Sequence, residues 1–230
     1  MINPTKTIDF PAFLASTVHD MKNSLGMLMN TLDEVVETCV SKGCDSGSQL
    51  SLMQYESRRV NNNLIQLLTL YKMDMDQFSL QLGEYDVYEL FEEIILQNDS
   101  VLKARGIELI MECDEQQIWF FDRELITGVI NNVVNNAYRY AKEKILIRAV
   151  EEDGFIVISI ADDGNGYPDA FLTTDVQQST GVSFSTGSTG LGLYFASMVA
   201  VMHKNRDRTG TIEIANGGEY GGGCFTIRLP

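Results

Sequence analysis

The sequence predicts an α+β protein in two parts. An antiparallel helical hairpin over residues 1–82 forms a dimeric four-helix bundle, and an α/β-sandwich domain follows over 83–230. Three observations lead there. Apolar residues recur at alternating steps of four and three along two long N-terminal segments, which is a heptad seam. After Gly83 the seam gives way to short apolar runs interleaved with amphipathic helical stretches, as in helices layered on a sheet. The composition, 44% hydrophobic and 21% charged, is that of an ordinary globular chain.

The first helix is expected over Phe13 to Val40, with Leu14, Val18, Met21, Leu25, Leu28, Leu32, Val35 and Cys39 on its seam. The glycines and short polar residues from Ser41 to Ser48 should stop it and turn the chain. A second helix is expected from Leu50 to Phe78, with Met53, Val60, Leu64, Leu67, Tyr71 and Phe78 on its seam and Ser57 and Asp74 as weak positions. A lone pair of such helices leaves an apolar side uncovered, and a symmetric homodimer would cover it. The alternative is an intramolecular coiled coil lying against the rest of the chain.

In the second part, helices are expected over Val87 to Asn98, Arg123 to Lys142 and Leu191 to Met202. Strands are expected over Ile107 to Met111, Ile118 to Phe121, Ile145 to Val150, Phe155 to Ala161, Thr211 to Ala215 and Cys224 to Leu229. The Gly-, Ser- and Thr-rich stretch from Asp163 to Gly187 reads as a long loop.

A net charge of −15 argues against a nucleic-acid surface, which needs clustered Lys and Arg. No apolar run approaches the roughly 20 residues that span a bilayer, and the first residues lack the pattern of a signal peptide, so a cytoplasmic location is expected. The four cysteines form no CxxC or Cys/His set and read as reduced thiols. Histidine occurs only at His19 and His203. His203, near the end of the last helix, is expected to cap that helix or sit at the surface.

Three elements in one order point to a nucleotide. Asn132 and Asn136, four apart, share a face of a helix, where neutral amides suit a magnesium ion or an ordered water. Arg139 and Tyr140 follow one turn later, the arginine within reach of a phosphate oxygen. Asp162, Gly164 and Gly166 end a strand; the carboxylate suits an adenine amino group, and glycines admit the ring close to backbone. Thr189, Gly190, Leu191 and Gly192 form a glycine-rich turn opening a helix, whose free N–H groups suit a polyphosphate. Each element alone is a common structural motif; together they are specific.

With these residues stated, a resemblance follows. Val18-His19-Asp20-Met21-Lys22-Asn23-Ser24-Leu25 resembles the H-box of sensor histidine kinases, the later elements resemble their N-, G1- and G2-boxes, and Gly222 to Pro230 looks like their closing strand. The resemblance implies a dimeric helical hairpin joined to an ATP-binding domain of the gyrase, Hsp90, histidine kinase and MutL type. It implies His19 as phosphoacceptor, Asp20 as its acidic assistant and Asn23 as the residue tied to phosphatase activity. It implies Asn136 as magnesium ligand with Asn132 as its companion, Asp162 as the adenine-binding acid, and the glycines as pocket and lid. ATP and Mg2+ are the implied cofactors, and a response-regulator receiver domain the implied partner.

There are departures. Ser24 stands where the family often has proline, Gly128 stands where an acid or amide is common, and Phe171 and Phe184 are the candidates for the lid phenylalanine. With no sensor domain ahead of the helices, input is expected from a separate sensory partner, or the chain is a fragment. Two other classes fit parts of the pattern: a nucleotide-controlled scaffold, against which Asn136, Asp162 and the glycine turn argue, and a serine kinase or ATPase of the same superfamily, against which the His19 to Asn23 segment argues.

Overall fold

The computed structural model describes residues 10–42, 47–75, 77–172 and 190–230, which fall in two compact units, Met1–Asp76 and Gln77–Pro230. The first unit holds helices α1 (Phe10–Lys42) and α2 (Gly47–Asp74). Asp33 on α1 ties them together, accepting a hydrogen bond from Gln54 at 2.6 Å and pairing with Arg58 at 3.6 Å. The seam of α1 divides: Val18 and Leu32 are buried, whereas Met21, Leu28 and Val35, seven residues apart, are 44–50% exposed. On α2, Met53, Val60 and Leu67 repeat that exposure at the same spacing. The second helix is shorter at its end than expected. It stops at Asp74, one of the weak positions, and Phe78 lies beyond it.

The second unit is built on a five-stranded mixed sheet, ordered β2 (Glu108–Glu112), β4 (Lys144–Glu152), β5 (Phe155–Asp162), β9 (Gly223–Leu229), β8 (Thr211–Asn216). Only the β2–β4 pairing is parallel. Asp153 and Gly154, both with positive φ, make the tight turn between β4 and β5 that an Asp-Gly pair favours. Alternation puts Ile145 and Ile147, Ile156 to Ile160 at every second residue, and Phe225, Ile227 and Leu229 on one face, buried. Helices α3 (Val87–Ala104), α4 (Arg123–Tyr140) and α6 (Leu191–Met202) pack on the sheet, and α4 alone buries Leu125, Ile126, Val129, Ile130, Val133, Val134, Ala137 and Tyr138. A short α5 spans Asp169–Leu172.

Two small ribbons go beyond the expected elements. Strand β1 (Leu82–Asp86) pairs antiparallel with β3 (Ile118–Asp122); its LGEYD lacks an apolar alternation and is a strand only because β3 supplies the ladder. Strands β6 (Lys204–Asn205) and β7 (Arg208–Thr209) form the second ribbon. Helix α4 also ends sooner than expected, at Tyr140. The backbone N–H groups of Lys142 and Glu143 turn away to the Asp163 carboxylate instead, at 2.8 and 3.0 Å.

Of the two roles expected of His203, capping α6 or lying at the surface, the structure shows the first. It does cap α6, its N–H donating to the Ala200 carbonyl, but it is not a surface residue: it is only 2% exposed. Its Nδ1 lies 2.7 Å from the Val199 carbonyl, and its Nε2 accepts the Asp122 N–H at 3.0 Å. Asp122 is itself the N-cap of α4, accepting from Leu125 through one oxygen and from Gln81 through the other. These bonds require the neutral Nδ1–H tautomer, since a proton on Nε2 would face the Asp122 N–H. Burial accordingly pushes the His203 pKa below its ordinary value, against the opposing pull of the Val199 carbonyl and the Asp122 carboxylate. The unfolded chain therefore takes up a proton that the folded chain refuses as pH falls below about 6.5. Stability is full above that pH and declines below it. Urea midpoints measured from pH 7.5 to 5.5 should fall in wild type and stay flatter in His203→Gln.

Candidate functional site

Strand β5 ends at Asp162, and the backbone around it is packed closer than side chains allow. One carboxylate oxygen, Oδ1, accepts from the Gly164 N–H at 2.7 Å and the Gly223 N–H at 3.2 Å, while the Asp162 carbonyl accepts from Gly222 at 3.1 Å. A Cβ on Gly164 would stand 2.4 Å from the Tyr140 carbonyl oxygen, and one on Gly222 would stand 2.5 Å from Asp162 Oδ1. Neither is possible without movement. Among the described residues Oδ2 accepts no hydrogen bond, which leaves that oxygen for a ligand's amino group.

Tyr167 borders the same carboxylate, its ring edge 3.1 Å from where a Cβ on Gly223 would lie. Burial, then the charge of Asp162, pushes its phenol pKa well above the ordinary range, so the hydroxyl stays protonated. Asn216 fixes the segment with both ends of its amide, accepting from the Tyr167 N–H at 2.6 Å and donating to the Tyr167 carbonyl at 2.8 Å. Gly166 is needed beside it: its φ is 76°, and a Cβ there would meet the Asn216 amide at 2.5 Å. Asp163 faces away. Burial opposes its charge, but the backbone N–H groups around Lys142 to Lys144 outweigh that and hold its pKa below the ordinary carboxylate range.

A second cluster forms where α4 meets the start of α6. Gly190 has a φ of 59° at the α6 N-cap, and a Cβ on Gly192 would fall 1.9 Å from the Asn132 amide nitrogen. That nitrogen is buried and has no hydrogen-bond partner among the described residues. A buried orphan amide beside open helix N–H groups fits a polar ligand such as a polyphosphate. Asn136 sits one turn along α4 and is half-buried; Leu191 is half-buried in the first turn of α6. Arg139 and Tyr140 are exposed at the last turn of α4, with the guanidinium 5.7 Å from the Tyr140 ring centre. The two clusters are joined by α4 itself, since Asn132 and the Tyr140 carbonyl lie eight residues apart, about 12 Å at 1.5 Å per residue.

Thr189 and Phe184 lie outside the described residues; Phe171 is half-buried on α5. In the first unit, His19, Asp20 and Asn23 all lie on α1, with Asp20 and Asn23 exposed and the His19 side chain outside those described. Ser24, in place of the usual proline, donates its hydroxyl to the Asp20 carbonyl at 2.9 Å, and α1 runs through it without interruption. Among the described residues no group of three His, Cys, Asp or Glu side chains forms a metal cage, and no helix is long and apolar enough to cross a membrane. Cys113 and Cys224 are free thiols, and burial raises both pKa values, that of Cys113 to about 11.

Gly223, Tyr167 and Asn216 belong to the site as well, and sequence reasoning misses them. Their only signal in the sequence is the density of glycine from Gly217 to Gly223, which reads as the approach to a closing strand.

Residues 121–230 match the family described as histidine kinase-, DNA gyrase B-, and HSP90-like ATPase. That match lies wholly within the second unit. Over 229 residues the chain is also 24% identical to the sensor protein SrrB of Staphylococcus aureus, covering 95% of this chain and 37% of that protein. The chain is thus homologous to a sensor histidine kinase and spans well under half of its length. Among solved structures, the histidine kinase AdeS of Acinetobacter baumannii shares the fold with a TM-score of 0.59 at 20% identity, over 87% of this chain and 95% of that one. Full-length ShkA in complex with AMPPNP shares it with a TM-score of 0.64 at 19% identity, over 96% of this chain and 46% of that one.

The glycines of the second unit separate by their neighbours. Gly164→Ala should lower the thermal midpoint by several degrees, because overpacking costs about 1–3 kcal/mol. Gly128→Ala should raise it slightly: Gly128 lies inside α4, where a Cβ would rest 3.6 Å from the Phe195 ring in ordinary contact and favour the helix by about 0.5–1 kcal/mol. Calorimetry of the two variants beside wild type checks both.

Proposed function

We propose that this chain is a protein histidine kinase. It binds Mg-ATP in the second unit, transfers the γ-phosphoryl group to His19, and passes it to an aspartate of a response-regulator receiver domain. The observation that carries the reading is Asp162, a carboxylate backed by backbone N–H groups through one oxygen and accepting no hydrogen bond among the described residues through the other, in a unit that matches the ATPase family and on the same chain as the His19 to Asn23 segment. Its free oxygen suits the adenine amino group, and Gly164 and Gly222 let the backbone close in behind that carboxylate. Asn132, Gly190, Leu191 and Gly192 would hold the phosphates, with Thr189 and Arg139 at their margin. Asn136 would hold magnesium together with phosphate oxygens, the ion neutralising charge on the transferred group.

In the reaction an unprotonated imidazole nitrogen of His19 attacks the γ-phosphorus. The N–P bond forms as the bond to the bridging oxygen breaks, and ADP leaves. Asp20 holds the proton on the other nitrogen, which fixes the tautomer that attacks. Most of the catalysis is positioning and charge neutralisation, since phosphoryl transfer needs little covalent help.

The working form is a homodimer through α1 and α2, supported by two exposed apolar stripes at heptad spacing: Met21, Leu28 and Val35 on α1, and Met53, Val60 and Leu67 on α2. The cytoplasm, which supplies ATP and keeps thiols reduced, is its site of action. Label from γ-labelled ATP should enter wild type as an acid-labile, base-stable adduct, and His19→Ala should reduce it to background. Equal labelling of His19→Ala overturns the acceptor, an acid-stable product points to a serine kinase, and a failure to bind ATP points to a scaffold.

The same reading makes the protein bifunctional. Asn23 lies one helical turn beyond His19 on α1 and is exposed, which supports a role in which its amide orders a water against an aspartyl phosphate on a docked receiver domain. Asn23→Ala should keep His19 labelling and slow dephosphorylation of the partner at least about tenfold, in the range of a lost positioning group; Asp20→Asn should do the reverse. Unchanged partner dephosphorylation in Asn23→Ala, with nucleotide present, leaves a kinase alone.

A further inference from the structure

The glycine-rich turn between β8 and β9 does more than reverse the chain. It bends through Gly217 and Gly221, with φ of 83° and 82°, and closes with hydrogen bonds from Gly217 to the Gly222 carbonyl and from Gly221 to the Gly218 carbonyl. Its last residues, Gly222 and Gly223, donate to the Asp162 carbonyl and carboxylate. A run so rich in glycine does not hold one shape by itself, because glycine gives up more backbone freedom on ordering than any other residue. Its two large side chains are therefore its anchors. Glu219 pairs with Arg148 on β4 at 2.7 Å, and the Tyr220 ring lies 5.8 Å from the Lys144 amine. Arg148 also donates to Glu112 on β2, at 2.6 Å, a contact apart from the turn. These contacts lie on the sheet face opposite the helices, since Arg148 alternates with the buried Ile147 and Ala149.

We propose that the Arg148–Glu219 pair is a positioning device for Asp162: it holds the turn whose N–H groups orient the carboxylate, and so sets how sharply the site reads the amino group of adenine. This rests on the nucleotide reading of the site. Arg148 and Glu219 touch no substrate and act through Gly222 and Gly223. An ion pair this exposed is a weak tie, so its loss frees the turn part of the time rather than unfolding the domain. Apparent affinity falls in proportion to the fraction of the held state that remains, at most about fivefold for a tie of that strength.

The test compares MgATP with MgITP, whose base carries an oxygen in place of the amino group. Isothermal titration of the full chain should show wild type preferring ATP. Glu219→Gln and Arg148→Gln should each weaken ATP measurably, by up to about fivefold, while changing ITP little, so that the ratio between the two nucleotides shrinks. The double variant should be no worse than either single one, because the two residues act as one unit. Glu112→Gln, which removes the other partner of Arg148 without touching the turn, should keep the ratio of wild type, and all four variants should keep the thermal midpoint within a few degrees. An unchanged ATP-to-ITP ratio in Glu219→Gln overturns the positioning role. Wild type that binds neither nucleotide overturns the site itself, a separate and recognisable result.

Discussion

Asp162 sits where three stretches of backbone converge, so closely that a Cβ on Gly164 or Gly222 would collide there. The end of α4 brings the Tyr140 carbonyl against Gly164, the β8–β9 turn brings Gly222 and Gly223 against the carboxylate, and the chain after β5 folds back through Gly166 onto Asn216. Hydrogen bonds to an ionised oxygen are among the stronger contacts a protein makes, and here they come from backbone that glycine alone allows so near. The closing strand must begin at Gly223, the turn before it must be glycine-rich, and the helix before β4 must stop short, all so that this one carboxylate is held from behind.

Helix α4 is the part on which the two halves of the candidate site are assembled. It starts at Asp122, whose carboxylate caps the helix while its N–H is received by the buried imidazole of His203 at the far end of α6. Midway it offers the Asn132 amide to the first turn of α6, and at its end it offers the Tyr140 carbonyl to Gly164. α4 and α6 are therefore joined twice, once through a histidine that must stay neutral and once through a contact that needs Gly192. A displacement of either helix reaches both the phosphate-side cluster and the base-side cluster through packed matter rather than through a loop.

The two units differ in how far they satisfy themselves. The second buries an apolar layer between the sheet and α3, α4 and α6, with Phe91, Phe121, Phe195 and Phe225 enclosed. The first buries Val18, Leu32 and Tyr55 between its helices and leaves Met21, Leu28, Val35, Met53, Val60 and Leu67 in solvent. Two helices have only one contact line between them, so half of a heptad seam on each has nothing within its own hairpin to cover it. That surplus of apolar surface is the physical ground on which a second copy is proposed.

The sequence by itself determined the elements that carry their own periodicity and the residues that carry their own chemistry. The heptads of α1 and α2, the alternation of β4, β5 and β9, the amphipathic α4, and the positions of Asn132, Asn136, Asp162 and the glycines before α6 are local patterns, legible one or two turns at a time. The tertiary structure decided what depends on distant partners. β1 is a strand because β3 lies beside it; α4 ends at Tyr140 because the Asp163 carboxylate draws off the next N–H groups; His203 is buried because the Asp122 N–H, 81 residues away in sequence, needs an acceptor. Asn216, Tyr167 and Gly223 entered the site in the same way, through hydrogen bonds and close approach that span 49 to 61 residues of chain. Local pattern reports which face a residue prefers, but the identity of what it meets there is fixed only when remote segments are packed together.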